Sequence, residues 1–558
     1  SSPRAKARVA LRPRLPGAPL PLCGGGERRA RLGPMAAFEE KMKNVGLMQA
    51  ERGYDVTIVC TSDGQQSAFW QTHLEAAKGK VTPSGSTVLA VDEDWPGGAG
   101  NFLGTLYAWR KACSKLKQES GRDLTAELEA GASVAIFHTA GKGTRMAPLP
   151  GAENNNKPGV KLPVPGALSI LESVIRQTGA YASSRKSRLS VFWGDQVFVP
   201  SVSAEYTPAH HVDIICGLGP MPSAEEWAAR GLQGYGLIAA RGDGSVAAML
   251  EKVTHAEATA QLSGMEGVER VGTSLGSFSL SAPFLKVLCE SFAAELDSRA
   301  GKMDSDPHVW MPMTLGREAY TALAVKKGLF DEAGAGAHHD RVAEIVAGFD
   351  ASSGGLRGIF GAVPVGLELS WWDYGLLKLY TKNSLLLASE GEDARLARAF
   401  FGVPDEGRVS SSSLGECTAD AASVISSSSA SSGAVSSSVL LNVTAGELRA
   451  DGAVLVNTCA KRIVAGKGAV AYNVVDASED GLVLAENEVR VGVFTTKEGH
   501  AYFEMRSNVE EIDGGKAFKE RVCGNAMSFQ EVYDLNCGAD VCACAAASAA
   551  ARSAFAKP

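Results

Sequence analysis

The chain has 558 residues, 45% of them hydrophobic and 21% charged, with a formal charge of -7, an ordinary composition for a chain long enough to hold more than one domain. No run approaches the 18 uninterrupted apolar residues of a membrane span, and the eleven cysteines show no paired zinc-site spacing, so a reducing, cytoplasmic setting is expected. Outside residues 1–34 the charge is about -14, which excludes the basic surface that general nucleic-acid binding requires.

Residues 1–34 carry eight Lys/Arg against the single acid Glu27 and precede Met35. This basic leader reads as disordered and outside the fold. It is either translated upstream sequence or a transit peptide that would send the chain to a plastid or another organelle.

Between Met35 and about Asp405, strand-like runs alternate with helical stretches: DVTIVC (Asp55 to Cys60), STVLAV (Ser86 to Val91), ASVAIF (Ala132 to Phe137), RLSVFWGD (Arg188 to Asp195) and VDIICGLG (Val212 to Gly219). The alternation predicts a three-layer α/β/α domain over 35–405 with a mostly parallel sheet, whose ligands sit at the carboxyl ends of the strands.

Two glycine-rich loops fall at such ends. The first, GAGNFLG with Gly98, Gly100 and Gly104, follows the second run and opens a helical stretch. It approximates a dinucleotide turn, although tight-turn duty alone also explains it. A dinucleotide-dependent oxidoreductase would need an acidic ribose-binding residue at the next strand end, and Glu119, Asp123 and Glu127 lie in a polar, helix-like stretch instead. The second loop, HTAGKGTRMAPLP (His138 to Pro150), follows the third run. Glycines there let backbone N–H groups close on an anion. A P-loop is excluded because Gly143 follows Lys142, and a third dinucleotide glycine is missing where Met146 stands.

The second loop continues as G-x-G-T-R-M-x-P-L-P, then Lys157-Pro158 and Lys161-Leu162-Pro163-Val164. Gly194-Asp195, Gly234-Tyr235-Gly236, Glu251-Lys252 and Trp372-Asp373-Tyr374-Gly375 follow in order. Together, over about Val134 to Asn383, these motifs resemble the sugar-1-phosphate nucleotidyltransferases, the nucleotide-sugar pyrophosphorylases. The resemblance implies a fold like the nucleotide-diphospho-sugar transferases, with a nucleoside triphosphate and a sugar 1-phosphate as partners. It implies that Ala140, Gly141, Gly143 and Thr144, with Gly98 and Gly100, hold the triphosphate, and that Arg145 holds the departing pyrophosphate. It further implies that Lys157 or Lys161 is the active lysine, that Asp195 and Asp373 bind Mg²⁺, and that Gly236, Glu251 and Lys252 face the sugar. A glycine-rich loop placed before His-x-Ala-Gly resembles the fucose-1-phosphate guanylyltransferase group, and guanylyl and uridylyl transfer both stay open.

The chemistry suits these residue types. Transfer crowds several negative charges into one site, Mg²⁺ takes carboxylate and phosphate oxygens, and Arg and Lys offset phosphate charge as fork and point. The sugar-binding Asn-x-Gly-x-x-x-Phe element corresponds to GTSLGSF, with Gly272 in place of Asn and Ser274 in place of Gly. Taken singly, Asp195 and Asp373 also suit turn or helix-cap duty and Glu251-Lys252 a solvated pair. His138 suits a packed strand end, and His338-His339-Asp340 has a metal-like look but falls in an expected Gly/Ala loop without metal-ligand spacing.

After Arg408 come fourteen serines between Ser410 and Ser438, which predict a linker over 406–438. Short apolar runs broken by Gly, Asn and Asp then predict a β-rich module over 439–515, a short β-helix or a sandwich through which the chain would form a homo-oligomer. The tail, 516–558, carries no legible signal, and its Cys542 and Cys544 have no second ligand pair. The activity expected is nucleotidyl transfer; the rival of a different class is a catalytically silent nucleotide-sugar binding or regulatory protein.

Overall fold

The computed structural model describes residues 34–497 and 501–555. The basic leader lies outside the described residues except for Pro34, where the first helix, Pro34–Leu47, begins.

The first unit is a nine-stranded mixed sheet between two helical layers. Its strands are β1 (Val56–Thr61), β2 (Thr87–Asp92), β3 (Ser133–His138) and β4 (Arg188–Trp193), all in the expected runs. The short strand β5 (Gln196–Val199) lies off this sheet. The remaining members are β6 (His210–Gly219), β7 (Gly236–Arg241), β8 (Val246–Glu251), β9 (Val268–Ser281) and β10 (Gly358–Pro364). The order is β10-β6-β9-β4-β3-β1-β2, with the β7–β8 hairpin attached to β9.

Successive residues of β1 feed opposite faces: Val56, Ile58 and Cys60 enter one core and Val59 the other. Both faces are therefore covered, and the strands read as continuous apolar runs. The expectation of a mostly parallel sheet needs correction at one place. β2, β1, β3 and β4 are parallel, as are β6 and β10, but β9 runs antiparallel to β4, β6 and β7. A tight hairpin joins β7 to β8, and strands joined that way can pair only antiparallel.

The predicted linker is wrong. Residues 409–494 wind into a stack of parallel strands, a β-helix, and the serine-rich stretch forms its first coils. Val424 pairs with Val439, Val439 with Val454 and Val454 with Val470, which sets a coil of 15 or 16 residues. Serine suits this role because hydroxyls at the corners accept an N–H from the next coil. Ser438 N donates to Ser423 Oγ at 3.3 Å, Val443 N to Ser428 Oγ at 3.0 Å and Ala453 N to Ser438 Oγ at 3.0 Å. Left-handed corners at Ser427, Asn442, Asn457 and Asn473 repeat at the same spacing, and Asn442 donates to Asn457 across one coil at 2.9 Å.

Each three-residue strand is buried on both sides. Ile425, Leu440, Leu455 and Ala471 point into the coil, while Val424, Val439, Leu441, Val454, Val456 and Tyr472 join the core of the α/β unit. The two units thus share one hydrophobic core. The tail is also ordered: helices Phe529–Asn536 and Val541–Phe555 pack back on both units. Within the second, Cys542 is exposed and Cys544 buried, so the two do not act as a pair.

Candidate functional site

The carboxyl ends of β1 to β4 surround a cavity of about 480 Å³. On one side it is lined by Ala140, Gly141, Gly143, Lys157, Gly194 and Asp195, and on the other by Gly98, Gly100, Asn101, Lys302 and Asp304. The glycine loop leaves β3 and turns at Gly143, whose φ of +63° places it in the left-handed region. The Lys157 stem passes within 3.0 Å of the position a Cβ would take there, so Gly143 is the residue over which Lys157 reaches the cavity. The Lys157 ammonium then meets Asp195 Oδ2 at 2.6 Å, with side-chain exposures of 15% and 23%.

A two-stranded ribbon brings in the second carboxylate. β11 (Ser370–Asp373) pairs antiparallel with β5, setting Asp373 opposite Gln196, the neighbour of Asp195. Tyr374 N donates to Asp195 O at 2.9 Å and Gly375 N to Asp373 Oδ1 at 2.6 Å. A Cβ on Gly375 would lie 2.9 Å from Asp373 Oδ1, 3.3 Å from Asp195 Oδ2 and 3.7 Å from Arg145 Nη2. These three side chains therefore converge on the space left open by one glycine. Burial pushes the Asp373 carboxyl above its usual range and Asp195 adds to the rise, opposed by the Gly375 N–H, Lys157 and Arg145.

Lys161 has a different place. Its backbone N–H donates to Tyr472 Oη of the β-helix at 2.8 Å, its carbonyl accepts from Tyr380 Oη at 2.8 Å, and its ammonium lies 3.9 Å from Glu172. Of the two lysines, the structure brings only Lys157 to Asp195. Thr144 and Arg145 sit at the outer end of the loop, against Gly514 and Gly515 of the C-terminal segment.

Gly98 and Gly100 line the cavity, but the amides of Ala99, Asn101 and Phe102 beside them are already bonded. Ala99 N donates to Glu93 Oε1 at 3.0 Å, Asn101 N to Asp304 Oδ1 at 2.9 Å and Phe102 N to Met303 O at 3.0 Å. A helix start closed by two carboxylates and a carbonyl does not offer these N–H groups to phosphate.

Gly236, Glu251 and Lys252 lie together on the β7–β8 hairpin beyond this cavity. Lys252 and Lys327 reach Glu251 at 3.4 and 3.7 Å. Asp306, which no motif singled out, stands against Gly236 on a π-helical turn, Asp306–Trp310. Burial, and then Glu251, push its carboxyl up to about 7. Gly272 leaves no room for a side chain: a Cβ would lie 1.8 Å from Gly217 O. It is a close strand crossing rather than a recognition position.

His338 and His339 lie on the helix Glu332–Ala347, not in a loop, and each faces a carbonyl, His308 O at 2.7 Å and Leu315 O at 3.0 Å. Sequence reasoning also missed Lys302 and Asp304, because the segment Gly301 to Asp306 has no motif and meets the site only through folding, and it passed over Asn101 within the GAGNFLG loop. The C-terminal units hold the glycine loop from behind. Asn154 Nδ2 donates to Phe494 O at 2.8 Å, Asn155 Nδ2 to Tyr533 O at 2.7 Å and Asn536 Nδ2 to Gly151 O at 2.9 Å. Lys142 lies 5.0 Å above the Tyr533 ring.

No helix among the described residues is long and apolar enough to cross a membrane. Comparison of the chain with protein-family models and with curated proteins found no match.

Proposed function

We propose that the chain is a Mg²⁺-dependent sugar-1-phosphate nucleotidyltransferase on a nucleotide-diphospho-sugar transferase-like fold. It would join a nucleoside triphosphate and a sugar 1-phosphate into a nucleotide-sugar and release pyrophosphate. The observation that carries this reading is the convergence of Lys157, Asp195, Asp373 and Arg145 at the mouth of the glycine loop.

In the reaction a sugar-phosphate oxygen attacks the α-phosphorus, the bond from that phosphorus to the bridging oxygen breaks, and the electron pair leaves on pyrophosphate. Lys157 offsets the charge gathering on the α-phosphate, and Arg145, exposed at the loop end, meets the pyrophosphate with a two-pronged fork. The attacking oxygen is already anionic, so no side chain needs to remove a proton. Asp195 and Asp373 fit a hard divalent cation, since two carboxylates face one gap, where burial pushes Asp373 up and Asp195 adds to the rise. Mg²⁺ bound there would supply charge neutralisation to the phosphates. The oxidoreductase alternative loses support because the Ala99 and Asn101 amides of its glycine loop are already paired.

The test is pyrophosphate release with Mg²⁺, with GTP, UTP, ATP, CTP and dTTP each set against fucose, glucose, mannose and N-acetylglucosamine 1-phosphates. Release that needs one triphosphate and one sugar phosphate together supports the assignment, and Asp195→Asn should then abolish it with the fold intact. Silence across the panel from folded protein that still binds a nucleotide would favour the catalytically silent binder.

A further inference from the structure

Three strand ends on the helical side of the cavity meet at one point that the transfer reaction does not use. Cys60, the last residue but one of β1, pairs directly with His138 at the end of β3, and Glu93 follows the last residue of β2. A sulfur, a carboxylate oxygen and an imidazole nitrogen from these residues lie within 4.8 Å of one another, the one such group among the described residues. Glu93 and His138 also face the cavity.

We propose that Cys60, Glu93 and His138 form a zinc site whose fourth position opens on the cavity. The donor set is the mixture of sulfur, nitrogen and oxygen that a borderline-soft ion accepts, with three protein ligands and one open position. The oxygen-only preference of Mg²⁺ makes the site distinct from Asp195 and Asp373.

The surroundings fit a metal ligand set. Glu93 Oε1 is fixed by the Ala99 N–H at 3.0 Å, and its Oε2 projects into the space that Gly104 leaves, where a Cβ would lie 2.8 Å away. His138 Nε2 lies 2.7 Å from Thr105 Oγ1, an outer contact of the kind that fixes a ligating ring, and Nδ1 is then the nitrogen left to coordinate. On binding, the Cys60 thiol gives its proton to solvent. Thiolate and carboxylate then balance the dication, so the buried site carries no net charge.

The test uses the full chain, stripped with a chelator and titrated with Zn²⁺ and, in parallel, with Co²⁺ as a spectroscopic probe. The expected result is about one zinc retained per chain after gel filtration and a thiolate-to-cobalt charge-transfer band. Cys60→Ala should remove the band, and Thr105→Val should weaken zinc retention about 10–100-fold with the same folded spectrum. Glu93→Gln, which keeps the side-chain shape, provides a second ligand variant and should lose retention even if Cys60→Ala misfolds. Asp195→Asn should leave the band unchanged, which separates this site from the transfer site whether or not transfer is observed. Absence of retained zinc and of the band in the unaltered chain, or a band that survives Cys60→Ala, would overturn the proposal.

Discussion

Replacement of Lys157 by Met removes one charge at the candidate site and keeps the carbon stem that passes over Gly143. The lost contact is a 2.6 Å charged hydrogen bond to Asp195. Such bonds contribute about 1.5–3 kcal/mol, and with 15% and 23% of the two side chains exposed the cost to stability falls at the lower end, about 1.5 kcal/mol. The cost to transfer is larger. A preorganised group that meets charge developing in the transition state is worth about 10²–10³ in rate, or about 3–4 kcal/mol. A second signature follows from Asp373. Lys157 is one of the charges that hold its carboxyl down, so removing it raises the pKa further. The carboxylate must be ionised to hold a cation, and the acid limb of the rate profile should therefore move to higher pH. Lys161→Met should leave that limb in place, because Lys161 is bound instead to Tyr472, Tyr380 and Glu172. The assay is the initial rate of pyrophosphate release across the pH range for both variants. A Lys157→Met enzyme within about tenfold of the parent, beside a Lys161→Met enzyme that is inactive yet folded, would refute the assignment and give the role to Lys161.

Other expectations follow from contacts outside the cavity. Burial alone would raise the Glu172 carboxyl, but the His73 contact at 2.9 Å, Lys161 and the Ser169 N–H outweigh it and bring it to about 2, against an ordinary 4.5. Its stabilisation, about 3 kcal/mol, is present above 4.5 and lost as pH falls toward 2, so in urea denaturation the gap between the parent and Glu172→Gln should close on acidification. Gly272→Ala places a methyl 1.8 Å from a carbonyl oxygen and should cost about 1–3 kcal/mol or more; an unchanged denaturation midpoint would contradict the strand crossing. Tyr472→Phe removes the hydroxyl that accepts from Lys161 N and donates to Glu153, leaving a partly buried N–H unpaired at a cost of about 1 kcal/mol. Because the β-helix and the α/β unit share a core, the parent should unfold in one transition, and two separated transitions would argue against that shared core.

Some of this architecture was legible along the chain. β1, β2, β3, β4 and β6 lie in the apolar runs that announce them, because a strand covered on both faces needs a continuous local run of apolar residues. The glycine loop after β3 and Asp195 after β4 stand at strand ends for the same local reason. What could not be read locally depended on partners far away in sequence. The stretch between Ser410 and Ser438 is polar and low in complexity, yet it forms β-helix coils because the corner hydroxyls of Ser423, Ser428 and Ser438 are each met by an N–H one coil later. The antiparallel course of β9 and the closed amides around Gly100 depend on neighbours fixed only by tertiary packing. The choice between Lys157 and Lys161 shows the limit most sharply. Four residues apart, one directly before Pro158 and the other two residues before Pro163, they present similar local patterns. One is drawn over Gly143 to a carboxylate 38 residues away, and the other is bound through its backbone to a tyrosine 311 residues away. Local periodicity determined where strands and loops begin, while the direction each lysine takes was decided by hydrogen-bond partners that only the folded chain brings within reach.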